Sequence, residues 1–131
     1  MFVGSFDGPA HRVRWDGDLI VYERFGPELE QEERYGVHPG AESWHVFWDA
    51  LERAGAWDWG EYEGAGDGDT VDVQWALQAG HADRWVSASG EGRFPPTGAP
   101  EPTPEFGILC DAVQALLGGM PFGDAALRRP R

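Results

Sequence analysis

Lysine is missing from this chain: all ten basic residues are arginine, and they stand against 23 acidic ones, a formal net charge of -13. A field of that sign repels phosphate backbones and anionic lipid headgroups, which excludes direct binding to nucleic acid or to a negative membrane. The lack of lysine itself, beside abundant Gly, Ala and Pro, reads as the codon bias of a GC-rich genome and carries no functional meaning. Cysteine occurs once. Cys110 cannot close an internal disulfide and cannot alone build a structural zinc site, so a reducing compartment is expected. No run of about eighteen apolar residues occurs. Met1 to Gly8 is short and carries Asp7, where a secretory leader would be basic and then apolar. The expectation is a cytoplasmic protein that does not span a membrane.

What the chain has is aromatic surface. Hydrophobic residues make up 41% of it, with seven Trp and seven Phe, enough to offset the entropy of ordering one backbone of 131 residues. Residues 1–119 are read as a single domain. The tail, 120–131, has no period, and its three Arg make it the one basic segment.

Periodicity places the elements. His11 to Phe25 reads as a hairpin around Asp16-Gly17, with a two-residue loop that sets Val13 opposite Ile20 and Trp15 on their face. The acidic stretch Glu28 to Arg34 lacks an apolar stripe and reads as a loop. From Pro39, the spacing of Trp44, Phe47, Trp48 and Leu51 predicts a helix stopped by Gly55. Val71, Val73, Trp75 and Leu77 alternate with polar residues and predict a strand. Gly80-His81 then turns it into a second strand, Asp83 to Ser89, with Val86 opposite Trp75 and Ala88 opposite Val73. Gly and Pro between Gly90 and Pro102 predict a surface loop. Thr103 caps a second helix and Pro104 opens it. Its stripe is Phe106, Leu109, Cys110, Val113, Leu116 and Leu117, and Gly118-Gly119 end it. The expected fold is α+β in ββαββα order: an antiparallel sheet of four to five strands with both helices on one face.

Trp44, Phe47 and Leu51 are followed by Ala56-Trp57-Asp58-Trp59, Tyr62 and Asp67-Gly68, then Trp75, Ser89-Gly90, Phe94-Pro95 and Phe106. In this order the chain resembles, over roughly residues 40 to 118, a group of small bacterial proteins that have no assigned activity. They share an aromatic-faced helix, a W-x-W segment followed by Tyr, a strand with a central Trp and an S-x-G strand end. The resemblance implies the fold and brings no activity with it.

The densest chemical feature lies between Arg53 and Arg84, where no basic residue occurs. Trp57, Asp58, Trp59, Glu61, Tyr62, Asp67 and Asp69 interleave indole and phenol rings with carboxylates, and both attract a guanidinium or ammonium group. The plainer reading has Trp57 and Trp59 stapling the first helix to the sheet while the acids face water. Gly66 to Asp72 invites calcium, but Val71 and Asp72 stand where an EF-hand needs a ligand and a Gly, and no Glu closes the loop. Gly64-x-Gly66-x-Gly68 precedes a strand, where a phosphate-binding loop must follow one. His45 and Asp49, four apart on the first helix, suit two metal ligands or a base with its orienting carboxylate, but spacing fixes no third partner. Ser87 and Ser89 lack a nucleophile elbow, and Cys110 falls in an apolar stripe.

The sequence therefore predicts a non-catalytic binding module for a basic protein partner, without metal or cofactor. Two forms of it fit: an immunity-type inhibitor, or an acidic decoy for a nucleic-acid-binding site. The alternative is a small metal-dependent or hydrolytic enzyme using His45 and Asp49. Exposed tryptophans would also suit a homodimer.

Overall fold

The computed structural model describes residues 1–5, 10–26, 30–62 and 73–122. Seven strands form one sheet: β1 (Phe2–Ser5), β2 (Ala10–Trp15), β3 (Ile20–Phe25), β4 (Gln31–Val37), β5 (Glu61–Tyr62), β6 (Val73–His81) and β7 (Arg84–Glu91). Two helices, α1 (Ala41–Ala54) and α2 (Pro104–Leu116), pack side by side on one face. The spatial order is β4-β3-β2-β1-β6-β7-β5, antiparallel throughout except that β5 runs parallel to β7. The α+β class stands. The sheet is larger than expected and mixed.

Three strands were invisible to periodicity: the two-residue β5, and β1 and β4. β1 is only four residues long, yet it pairs with β2 on one side and β6 on the other, and so joins the two hairpins into one sheet. β4 replaces the expected loop from its Gln31 onward. It is an edge strand with few buried residues, kept from further pairing by charge: Arg24 of β3 lies 3.7 Å from Glu32 and 3.9 Å from Glu33. Tyr35, stacked at 6.3 Å on buried Tyr22, and Val37, opposite Ile20 and packed against the core, mark its inner face.

Both hairpins keep the expected faces but not the expected register. In the first, Val13 lies opposite Tyr22 and Trp15 opposite Ile20. The loop is longer because Asp16 Oδ1 accepts hydrogen bonds from the Leu19 and Asp18 amides, at 2.9 and 3.0 Å. Those bonds, Leu19's first, hold the Asp16 carboxyl below the usual carboxylate range. In the second hairpin Leu77 faces Ala88 and Ala79 faces Val86, with the turn at Ala82-Asp83. Gly80 lies within the strand opposite Trp85, whose ring sits 3.0 Å from where a Cβ would stand. The turn instead forces Ala82 to φ 57, a left-handed conformation that costs an L-residue about 1 kcal/mol. Replacing Ala82 by Gly is expected to raise stability by about 0.5 kcal/mol once the added unfolded-chain entropy is counted, measurable by urea denaturation.

The helices start and stop where the sequence placed them. Gly55 ends α1 at φ 71, and Thr103 Oγ1 caps α2 by accepting from the Phe106 amide at 3.3 Å, with Pro104 in the first turn. Phe47, Ala50, Leu51 and Ala54 of α1 meet Phe106, Leu109, Cys110 and Val113 of α2 over Val13, Trp75, Leu77, Val86 and Ala88 of the sheet. The expected surface loop after β7 belongs to that core. Phe94 and Pro95 are fully buried, Phe94 packs on Phe106 at 5.1 Å, and Thr103 Oγ1 donates to the Pro95 carbonyl. The core also reaches past residue 119: Phe122 is buried, and Tyr22 Oη donates to the Pro121 carbonyl at 2.6 Å. No helix among the described residues is long and apolar enough to cross a membrane.

On the opposite face of the sheet, Glu23 is buried beneath two arginines, with Arg12 Nη2 at 2.8 Å and Arg14 Nε at 3.4 Å. Burial alone would raise its pKa. Hydrogen bonds and charge from Arg12, then Arg14, outweigh burial and hold the carboxyl below its usual range. A depressed folded-state pKa means the contribution is complete above the unfolded value and is lost as pH falls through the folded one. Glu23→Gln is therefore expected to lower stability by about 1–2 kcal/mol at neutral pH and to flatten the decline below about pH 4.3, as followed by melting temperature against pH.

Candidate binding surface

The face of α1 that turns from the core toward solvent carries Trp44 and Trp48, one helical turn apart and both half-buried. Their rings lie nearly parallel, 5.8 Å apart at 18°. Gly55 then reverses the chain, and a single 3-10 turn, Ala56–Asp58, lays Trp57 back against Trp48 at 6.1 Å and 20°. Two hairpin tips complete the array. Trp15, at the end of β2 and 55% exposed, meets Trp44 edge-on at 5.7 Å. His81, at the end of β6, stacks on Trp48 at 4.4 Å and 13°. From β7, the Arg84 guanidinium sits 4.8 Å above the Trp57 ring and bonds to the carboxylate of Glu52.

The result is a ladder of aromatic rings running along α1 from one hairpin tip to the other. Trp44 and Trp48 form a wall between two hollows. One, of about 400 Å³, is apolar and opens between the ladder, Leu77 and the α2 residues Val113 and Leu116. The other, of about 540 Å³, holds the polar groups His45, Asp49, Glu52, His81 and Arg84 beside Trp57. Rings of this size supply contact area at little entropic cost, and the carboxylates beside them make the second hollow complementary to cations.

The residues singled out from the sequence divide between separate places. Trp57 lies in the ladder and Asp58 is exposed beside it. Trp59 points the other way: it is 5% exposed and packs edge-on against Trp75 at 6.0 Å. Its indole N–H is buried without a hydrogen-bond partner among the described residues. Glu61 is exposed and Tyr62 half-buried, 6.2 Å from Trp75, at a third hollow with Gln74, Ser89 and Glu91. Asp67 and Asp69 lie outside the described residues. His45 and Asp49 are exposed on α1, and Asp49 pairs with Arg53 at 3.5 Å. No three His, Cys, Asp or Glu side chains among the described residues are grouped so as to hold a metal ion.

Sequence patterning alone does not single out Trp15, Trp44, Trp48, Glu52, His81 and Arg84 as site residues. Trp44 and Trp48 had a signal, since two indoles at i and i+4 on the margin of an apolar stripe exceed what a narrow core contact needs. His81 and Arg84 had none, because they reach α1 only through the fold. No family model, no curated protein and no solved structure matches this chain.

Proposed function

We propose that this protein is a non-catalytic binding module that meets a basic protein partner, in the manner of an immunity protein or inhibitor, through the ladder of α1 and the carboxylates beside it. The observation that carries the reading is a set of partly exposed, parallel indoles, Trp44, Trp48 and Trp57, bordered by Glu52, Asp49 and Asp58 on a chain of net charge -13. Indoles give a partner area and stacking faces, while the overall field draws a basic surface to them and repels nucleic acid. Asp67 and Asp69 would extend the negative border in sequence.

The test is calorimetric titration of the whole chain with an arginine-serine repeat peptide and with its glutamate-serine counterpart, at low and high salt. The arginine peptide is expected to bind with strong salt dependence, and Trp48→Ala and the pair Asp49→Asn, Glu52→Gln each to weaken it by about tenfold. Equal binding by the parent and both variants removes the ladder from the interaction. With a natural partner in hand, competition by DNA or RNA separates a decoy from an inhibitor. Mass by light scattering decides whether a second copy takes the surface instead.

A further inference from the structure

The binding reading leaves open which basic group the surface receives, and Arg84 answers it. Its guanidinium lies over the Trp57 ring at 4.8 Å and bonds to Glu52, so the corner of α1 and the 3-10 turn already holds the kind of group that an acid beside an indole should attract. We propose that Trp57 and Glu52 form a seat for an arginine side chain, that Arg84 fills it from within the same chain, and that an arginine of the partner enters by displacing Arg84. This inference rests on the binding reading of the same surface.

Three features make exchange cheap. The side chains of Arg84 and Glu52 remain 43% and 55% exposed, and ion pairs so exposed contribute little to holding a fold together. Arg84 follows the strained Ala82 turn at the tip of a hairpin, where its side chain can swing into water without disturbing a ladder of hydrogen bonds inside the sheet. The hollow beside it, about 540 Å³, has room for a second side chain along Trp48 and His81. Arginine fits where lysine does not, because a planar guanidinium can lie flat on an indole and still point its N–H groups at a carboxylate. Arg84 thus acts as a tethered competitor, lowering affinity for weakly matched cations and yielding to a partner that offers further contacts.

The experiment follows the indole N–H signals of the ¹⁵N-labelled full chain during titration with N-acetyl-arginine methylamide and with the lysine analogue, the Trp57 signal being assigned through Trp57→Phe. Arg84→Ala is expected to bind the arginine probe about fivefold more tightly than the parent, with the largest shift at Trp57. The lysine probe should bind about threefold more weakly, and Glu52→Gln in the Arg84→Ala background should abolish the gain. Arg84→Gln, which keeps part of the aliphatic stem and removes the guanidinium, repeats the comparison should Arg84→Ala lose its dispersed spectrum. Equal affinity in parent and variants, shifts centred away from Trp57, or collapse of both variants would overturn the seat, the last because Arg84 would then be a structural strut. Failure here with salt-sensitive peptide capture intact sinks only the seat. Guanidinium binding without peptide capture sinks the wider reading instead.

Discussion

Alanine in place of Gly90 is expected to destabilise the protein by about 3 kcal/mol, the upper end for overpacking by one methyl group, seen as a large fall in the urea midpoint. A Cβ at this position would run into Trp75 Nε1 and the Arg93 carbonyl oxygen, far inside van der Waals contact, and would lie 2.8 Å from Trp75 Cε2. None of these can give way. The indole is 2% exposed and held by Trp59, Tyr62 and Phe106, and the carbonyl belongs to the chain that leads into the buried Phe94-Pro95 segment. The hydrogen bond from Trp75 Nε1 to Arg93 O, 2.8 Å long, passes over Gly90, so the glycine is present for closeness of approach and not for backbone freedom. Gly60 is the control, since a Cβ there meets nothing within 4 Å. Gly60→Ala should shift stability by less than about 0.5 kcal/mol. A Gly90→Ala protein as stable as that control would mean that Trp75 does not lie across β7.

That contact shows what patterning could and could not deliver. Alternation in β6 identified Trp75 as inward, and helical spacing identified Phe47, Leu51, Phe106, Leu109 and Val113 as the inward residues of the helices, because those signals are local. Hairpin faces were legible for the same reason, and registers were not. A slip by an even number of residues leaves every side chain on its face, so the pattern cannot detect it. In the first hairpin Asp16 bonding to its own loop fixes the register, and in the second the turn sits at Ala82-Asp83, two residues beyond the Gly80-His81 pair that reads as a turn. β1 is too short to show a period, the parallel β5 exists only through a partner distant in sequence, and β4 hid behind its charges. The surface followed the same division. Trp57 was legible as an indole among acids, whereas the other members of the array, Trp15, His81 and Arg84, come from two hairpin tips that nothing in the sequence ties to α1. Treating Trp57 and Trp59 as a pair on one surface fails because Trp57 lies inside a 3-10 turn, Ala56–Asp58, whose three residues per turn aim side chains two apart in different directions, where a strand would have set them on one side.

The two buried indoles offer the second large effect, as a contrast. Trp75→Phe removes the donor to Arg93 O, strands a buried carbonyl and opens a void, and is expected to cost about 3 kcal/mol. Trp59→Phe deletes a similar volume only 6.0 Å away, but the N–H it removes is buried with no partner among the described residues. The relief of that unmet donor offsets most of the lost packing, leaving stability within about 1 kcal/mol of the parent. Equal losses in the two variants would show that the Trp59 N–H is satisfied after all. The same pair bears on the binding surface. Trp59 faces the core and Trp57 the solvent, so Trp59→Phe should leave capture of the arginine peptide unchanged, while Trp57→Ala should weaken it by about tenfold. If instead Trp59→Phe lost the peptide while keeping its stability, the contact would have to lie on the far side of the 3-10 turn, and the ladder would be packing alone.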